Sequence, residues 1–85
     1  MTTSVQFTGT LAPNQTNRWT TSGWPANLHI IWYMVPVSSK VGVPQITWEV
    51  AVGRTIPNQC TYWITVKNLT GVMVTFEGRY AILNS

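Results

Sequence analysis

The chain has 85 residues, enough for one domain, and we assign residues 1–85 to a single β domain. Charged residues make up 8% of the chain, against about 25% in typical soluble domains, and the net charge of +3 is scattered along it. This distribution excludes the concentrated basic surface that is typical of nucleic-acid binding. One histidine, one cysteine and two carboxylates are too few for an ordinary structural metal site, so neither metal nor cofactor is predicted.

The sequence carries no membrane signal that we recognise. No apolar run approaches the roughly 20 residues of a membrane-spanning helix. The first residues, MTTSVQFTG, lack the basic and apolar segments of a signal peptide. There is also no amphipathic helix or basic aromatic cluster, so membrane binding is not expected. The compartment stays open.

Alternating β-branched and aromatic residues, with turn signals at intervals of about one strand length, predict an all-β fold. The expected architecture is an antiparallel six-strand β-sandwich or flattened barrel with mostly meander connections. The six predicted strands are Ser4 to Leu11, Asn17 to Thr21, Leu28 to Val37, Gln45 to Arg54, Cys60 to Asn68, and Val72 to Leu83.

The first two strands are separated by a predicted turn over residues 12–15. Val5, Phe7 and Leu11 are expected to share the inner face of the first strand. The second strand is short, and a loop over residues 22–27 follows it because proline restricts the backbone there.

The third strand is apolar on both alternating faces, with Trp32 and Met34 on one side and Ile31 and Tyr33 on the other. Such a strand is normally covered on both sides. We therefore predict a central strand whose second face meets other strands or another subunit. Because an 85-residue chain with one cysteine is marginal as a monomer, a homo-oligomer is expected.

The fourth and fifth strands alternate regularly. The predicted inner residues are Ile46, Trp48, Val50 and Val52 in the fourth strand and Tyr62, Ile64 and Val66 in the fifth. The connection before them, Ser38 to Pro44, is the longest. A return of the chain at residues 55–59 places Ala51 and Gly53 beside Trp63 and Thr61, leaving one flank of the indole open.

The last two strands are predicted to form a hairpin with a three-residue loop, residues 69–71. Asn68 begins the turn, and Gly71 takes the left-handed position that glycine favours. In this register Tyr62 covers Gly78. The same register places Trp63 opposite Glu77 and Thr61 opposite Arg79.

Catalysis is not expected, so we predict that the protein is not an enzyme. The single carboxylate pair, Glu49 and Glu77, is predicted to lie on one outer sheet face about 11–12 Å apart. This separation exceeds that of paired glycosidase carboxylates. His29 and Cys60 are read as structural residues.

Five tryptophans suggest a binding role, since indole faces suit the C–H faces of sugar rings. Trp32 and Trp48 are predicted core residues. Two groups of the remaining residues form candidate ligand patches: Trp63 with Glu77 and Arg79, and Asn17, Arg18, Trp19, Trp24 and Asn27. The alternative for these tryptophans is packing at subunit interfaces.

Two functional hypotheses follow. The first is a non-enzymatic, lectin-like module that binds neutral glycans through exposed tryptophans and is presented by a homo-oligomer. The second is a structural self-assembly module whose tryptophans lie at subunit contacts. The expected partners are copies of the chain itself and, in the first hypothesis, carbohydrate.

Overall fold

The computed structural model describes residues 1–38 and 42–85, which form six antiparallel strands and no helix. The predicted all-β class is confirmed. Lys40 and the middle of the predicted connection from Ser38 to Pro44 lie outside the described residues. The strands are β1 (Thr2–Leu11), β2 (Thr16–Pro25), β3 (Ile30–Pro36), β4 (Ile46–Ile56), β5 (Gln59–Asn68) and β6 (Val74–Ile82).

The strands form two three-stranded sheets. Sheet A has the order β1-β6-β3, and sheet B has the order β2-β5-β4. The prediction of mostly meander connections is wrong, because β4 and β5 are the one consecutive pair of these strands that is hydrogen-bonded. Elsewhere the chain crosses from one sheet to the other after every strand.

The core lies between the two sheets. Six buried residues from both sheets form one cluster: Leu11, Trp32, Met34, Ile64, Val66 and Phe76. The alternation of buried residues along β5 fits its predicted inner face, which included Ile64 and Val66. The molecule is therefore a small antiparallel sandwich, and it measures 42 × 24 × 16 Å.

Two bulges change the predicted inner face of β1 and the predicted end of β2. The register of β1 shifts between Val5 and Phe7, so Val5 lies opposite Arg79 and is 45% exposed instead of buried. The register of β2 shifts between Thr21 and Trp24, where Gly23 has a φ of 82°. The predicted loop over residues 22–27 is therefore strand as far as Pro25.

The third strand is not central. β3 is an edge strand of sheet A, and β6 takes the central place. Trp32 and Met34 are buried on its inner face, whereas Ile31 on the outer face is 50% exposed. The two apolar faces are present as predicted, but the chain itself covers one of them.

The predicted hairpin between the last two strands is wrong. β5 and β6 belong to different sheets, and Trp63 lies opposite Thr20 and Ala51 rather than Glu77. Thr61 lies opposite Gly53, not Arg79. Gly71 does not adopt a left-handed φ.

The side chain of Asn68 explains why the chain crosses between sheets there. Asn68 is fully buried, and its Nδ2 donates to the carbonyl oxygens of Leu11, Ala12 and Val72 at 3.3, 3.0 and 2.7 Å. Its Oδ1 accepts from the backbone N–H and the hydroxyl of Thr70 at 2.9 and 2.8 Å. These bonds connect the end of β5 to the end of β1 and fix the residues that lead into sheet A.

Gly78 is covered by an aromatic ring, as predicted, but the ring belongs to Phe7 on β1 and not to Tyr62. Phe7 lies directly opposite Gly78 across the β1–β6 ladder. Its ring stacks on Trp19 at a centroid distance of 5.5 Å and meets Phe76 edge-on at 6.0 Å. The glycine therefore makes room for an aromatic contact between the two sheets.

Across the described ranges, no helix has the length and apolar character needed to cross a membrane.

Candidate functional site

Trp63 lies on the outer face of sheet B, and its strand, β5, is the central strand of that sheet. Its cross-strand neighbours are Thr20 on β2 and Ala51 on β4, and Gly53 lies opposite Thr61. The predicted pairings with Ala51 and Gly53 are confirmed. The Cζ3 atom of Trp63 lies 3.3 Å from the position that a Cβ on Gly53 would take. The half-buried indole thus lies along the glycine, and a larger side chain there would press on the ring.

The polar neighbours of Trp63 come from its own sheet. In the next row along the strands, Arg18, Thr65 and Glu49 lie side by side, and the Nε of Arg18 donates to Thr65 Oγ1 at 3.2 Å. A shallow groove of about 250 Å³ continues from this row. It is lined by Thr16, Thr47, Trp48, Glu49, Thr65 and Lys67.

The first predicted patch is divided between the two sheets. Glu77 and Arg79 lie on the outer face of sheet A, where Glu77 pairs with Thr8 and Val35. Their side chains form an ion pair, with Arg79 Nη2 2.8 Å from Glu77 Oε1. Trp63 belongs to the opposite sheet, so the structure does not bring it together with them. Glu49 and Glu77 are likewise on different sheets rather than on one face.

The second predicted patch is also divided. The ring of Trp19 packs between the sheets, stacked on Phe7 and edge-on to Phe76 at 5.1 Å. Trp24 packs on Trp32 and Tyr80, and its Nε1 donates to Thr21 Oγ1 at 3.0 Å.

The polar members of that patch lie apart from these rings. Asn17 is exposed on β2 opposite Val66, and Arg18 faces outward opposite Thr65. Asn27 is an exposed loop residue whose backbone carbonyl accepts from Asn84 Nδ2 at 2.9 Å. The five residues therefore do not form one exposed surface.

A cluster of four aromatic rings fills one end of the core. Trp24, Trp32, Tyr62 and Tyr80 contact one another with ring centroids 5.1–5.6 Å apart. Burial, followed by the nearby Cys60, raises the pKa of the Tyr62 hydroxyl above its ordinary value. Trp32 Nε1 is buried without a hydrogen-bond acceptor in the described part of the chain. Tilted and edge-on packing of the rings accounts for this cluster as core structure.

The largest difference between expectation and structure lies on β4. Val50 lies opposite Ile64 and Trp48 opposite Val66, and both partners are completely buried. Directly opposed residues share a face of the sheet, so Trp48 and Val50 lie on the inner face as predicted. Yet Trp48, Val50 and Val52 are 38%, 41% and 59% exposed. The prediction that Trp48 is a core residue is therefore wrong in its burial, although right in its face.

Limited cover from sheet A explains this exposure. The facing edge strand, β3, has seven residues, whereas β4 has eleven. Ile46, at the start of β4, still packs against the core. Farther along, the inner face of β4 is only partly covered. We call Trp48, Val50 and Val52 the β4 apolar stripe.

The stripe was not identified as a site from the sequence because alternation predicts which face a residue takes, not whether another sheet covers it. The sequence offered no signal in strand length either, because the predicted third and fourth strands, Leu28 to Val37 and Gln45 to Arg54, are equally long. Three or more potential metal-ligating side chains (His, Cys, Asp, Glu) do not come together anywhere in the described ranges.

Comparisons with family models, with curated proteins and with solved structures find no match to this chain.

Proposed function

We propose that this protein is a non-enzymatic structural module that assembles with copies of itself through the β4 edge of sheet B. One observation carries the proposal: the β4 apolar stripe lies on the inner face of an edge strand, and it is covered only in part, with exposures of 38–59%. Contiguous apolar surface on a sheet edge is typical of an interaction site.

The composition favours burial of this surface by a partner. Charged residues are only 8% of the chain. Within β4, Ala51 lies between Val50 and Val52 of the β4 apolar stripe, and Glu49 is the one carboxylate of the strand. Isolated sheet edges are commonly protected by lysine, proline or inward-pointing charge. From Ile46 to Gly53, β4 has no lysine and no proline. A second copy offers the same unpaired strand and the same apolar side chains.

The non-enzymatic part of the proposal rests on the placement of the titratable groups. Glu49 and Glu77, the two carboxylic side chains of the sequence, are on different sheets. His29 is exposed just before β3, and Cys60 lies on the other sheet at the start of β5. Acid–base and nucleophilic catalysis both need such groups within hydrogen-bond reach of one another.

Replacing Val52 with lysine is expected to weaken self-association by about 100-fold. A buried valine contributes roughly 1.5 kcal/mol, and a symmetric contact loses this twice, so the total approaches 3 kcal/mol. Because Val52 is 59% exposed in the single chain, the folded subunit should tolerate the change. Sedimentation velocity over a concentration series would measure the dissociation constant of each protein.

Met73→Lys is the matched control, since Met73 is 64% exposed in the segment between β5 and β6 and the substitution adds the same charge. It should associate like the unaltered protein. Equal weakening by both variants would point to general charge repulsion and would contradict assembly through β4.

Glycan binding is the second candidate function, and the position of Trp63 is the observation that favours it. A half-buried indole faces outward on sheet B beside Thr20, with Arg18, Thr65 and Glu49 in the neighbouring row. An indole face with nearby hydrogen-bonding side chains suits a neutral sugar ring. Several copies in one assembly would raise avidity without any new contact.

Trp63→Ala is expected to abolish glycan binding while leaving assembly intact, since the ring lies on the outer face of sheet B. The protein would first be screened on a glycan array. Binding of a soluble oligosaccharide selected on the array would then be measured by isothermal titration calorimetry, since the variant lacks the indole that a fluorescence assay would report. A free oligosaccharide also removes avidity from the measurement. Val52→Lys is the control and should weaken assembly but keep oligosaccharide binding, because Val52 lies on the inner face and does not line the groove. Binding by Trp63→Ala at wild-type strength would contradict this candidate.

A further inference from the structure

We propose that two copies of this chain pair through antiparallel β4 strands about a twofold axis at Ala51, which joins two B sheets into one sheet of six strands. This inference rests on the proposed function and adds the partner, the direction of the strands and their register. The second copy is the occupant because the strand can pair with itself without crowding its side chains or opposing like charges.

β4 is the edge strand best suited to pairing. From Ile46 to Gly53 its ladder with β5 runs without a register shift. In the described part of the chain, no strand lies on its other side. The other three edges are interrupted: β1 and β2 contain bulges, β2 ends at Pro25, and the short β3 ends at Pro36. Bulges and prolines at an edge oppose strand addition.

Antiparallel pairing must place inner-face residues opposite inner-face residues. With the axis at Ala51, Val50 of each copy lies opposite Val52 of the second copy, on the inner face. The contact occurs twice, so four exposed valines become one apolar cluster flanked by the Trp48 side chains. On the outer face, Ala51 meets its own copy without crowding.

Charge selects this register over its neighbours. With the axis at Ala51, Glu49 lies opposite Gly53 of the second copy, and the two Glu49 residues are four positions apart along the strand, about 13 Å. An axis at Val50 would bring the two carboxylates to a diagonal of about 7–8 Å, and an axis at Glu49 would place them directly opposite each other.

The antiparallel direction is favoured by the remaining charge on the strand. Arg54 follows Gly53, so the axis at Ala51 places it opposite the Trp48 of the second copy rather than opposite another charge. A parallel arrangement would align like charges instead. Axes farther along the strand would use the irregular segment after Gly53, where the register with β5 shifts.

Disulfide trapping tests the register. In a Cys60→Ser background, Ala51→Cys places two thiols across the axis. The expected Cα–Cα distance of about 4.5–5.5 Å in an antiparallel pair falls within the range that a disulfide spans. Glu49→Cys is the matched control, because its own copy lies about 13 Å away. Mild oxidation followed by non-reducing electrophoresis should give mostly covalent dimer for Ala51→Cys and little for Glu49→Cys.

The outcomes separate the register from the proposed function. Covalent dimer at position 51 and not at position 49 supports the pairing. A protein that sediments as an oligomer sensitive to Val52→Lys, but gives no dimer at position 51 or equal dimer at both positions, overturns this register and leaves assembly through β4 standing. If the Cys60→Ser protein and the unaltered protein both stay monomeric at every concentration tested, the register and the proposed function are both overturned.

Discussion

Replacing Asn68 with alanine is expected to lower the free energy of unfolding by about 3–5 kcal/mol, because each buried group left without a partner costs roughly 1–3 kcal/mol. The side chain is fully buried and connects three carbonyl oxygens with the N–H and hydroxyl of Thr70. Alanine would leave several of these groups unsatisfied in the interior. Small domains have total stabilities of about 5–15 kcal/mol, so the loss is large.

Urea unfolding followed by tryptophan fluorescence would measure this loss. Asn27→Ala is the matched control, because Asn27 is exposed and uses its backbone carbonyl rather than its side chain to bind Asn84. The control should change stability by less than about 0.5 kcal/mol. If Asn68→Ala were as stable as the control, Asn68 would not connect the two sheets in the way described.

Replacing Gly78 with alanine is expected to destabilise the protein by about 2–3 kcal/mol through overpacking. The added Cβ would overlap three atoms of the Phe7 ring. That ring has little freedom to move, because it stacks on Trp19 in the opposite sheet and meets Phe76 edge-on. Relief would require the two sheets to separate at this end.

Gly71→Ala is the control for Gly78→Ala. A Cβ on Gly71 would have no atom within 4 Å, and Gly71 does not have a left-handed φ. Alanine there should be neutral, or stabilising by up to about 1 kcal/mol through a less flexible unfolded chain. Thermal unfolding of both variants gives the comparison. If the Gly71→Ala variant were less stable than the Gly78→Ala variant, Phe7 would not pack on Gly78 as described.

The strands could be predicted from the sequence, whereas their pairing could not. Alternation depends on neighbours along the chain, so it correctly placed Ile64 and Val66 on an inner face. Pairing depends on residues far apart in sequence. The turn signal at Asn68 and Gly71 is local and predicts a hairpin. The hydrogen bonds from Asn68 to Leu11 and Ala12, which direct the chain into the other sheet, join residues more than fifty positions apart.

Part of the candidate site could also be predicted from the sequence. The outward position of Trp63 and its small neighbours Ala51 and Gly53 follow from strand parity and the short β4–β5 connection. Trp24 was misplaced because Gly23 introduces a bulge that extends β2. The openness of the β4 apolar stripe depends on the relative lengths and positions of two strands in different sheets, and periodicity within a single strand carries no such information.

Sedimentation of the unaltered protein from nanomolar to high micromolar concentration tests the central claim most directly. If copies of the chain cover the β4 apolar stripe, the protein should sediment as a dimer or larger species at micromolar concentration and dissociate on dilution. The Val52→Lys curve should shift to higher concentration, and the Met73→Lys curve should not. A folded, soluble protein that stays monomeric throughout that range would contradict the account.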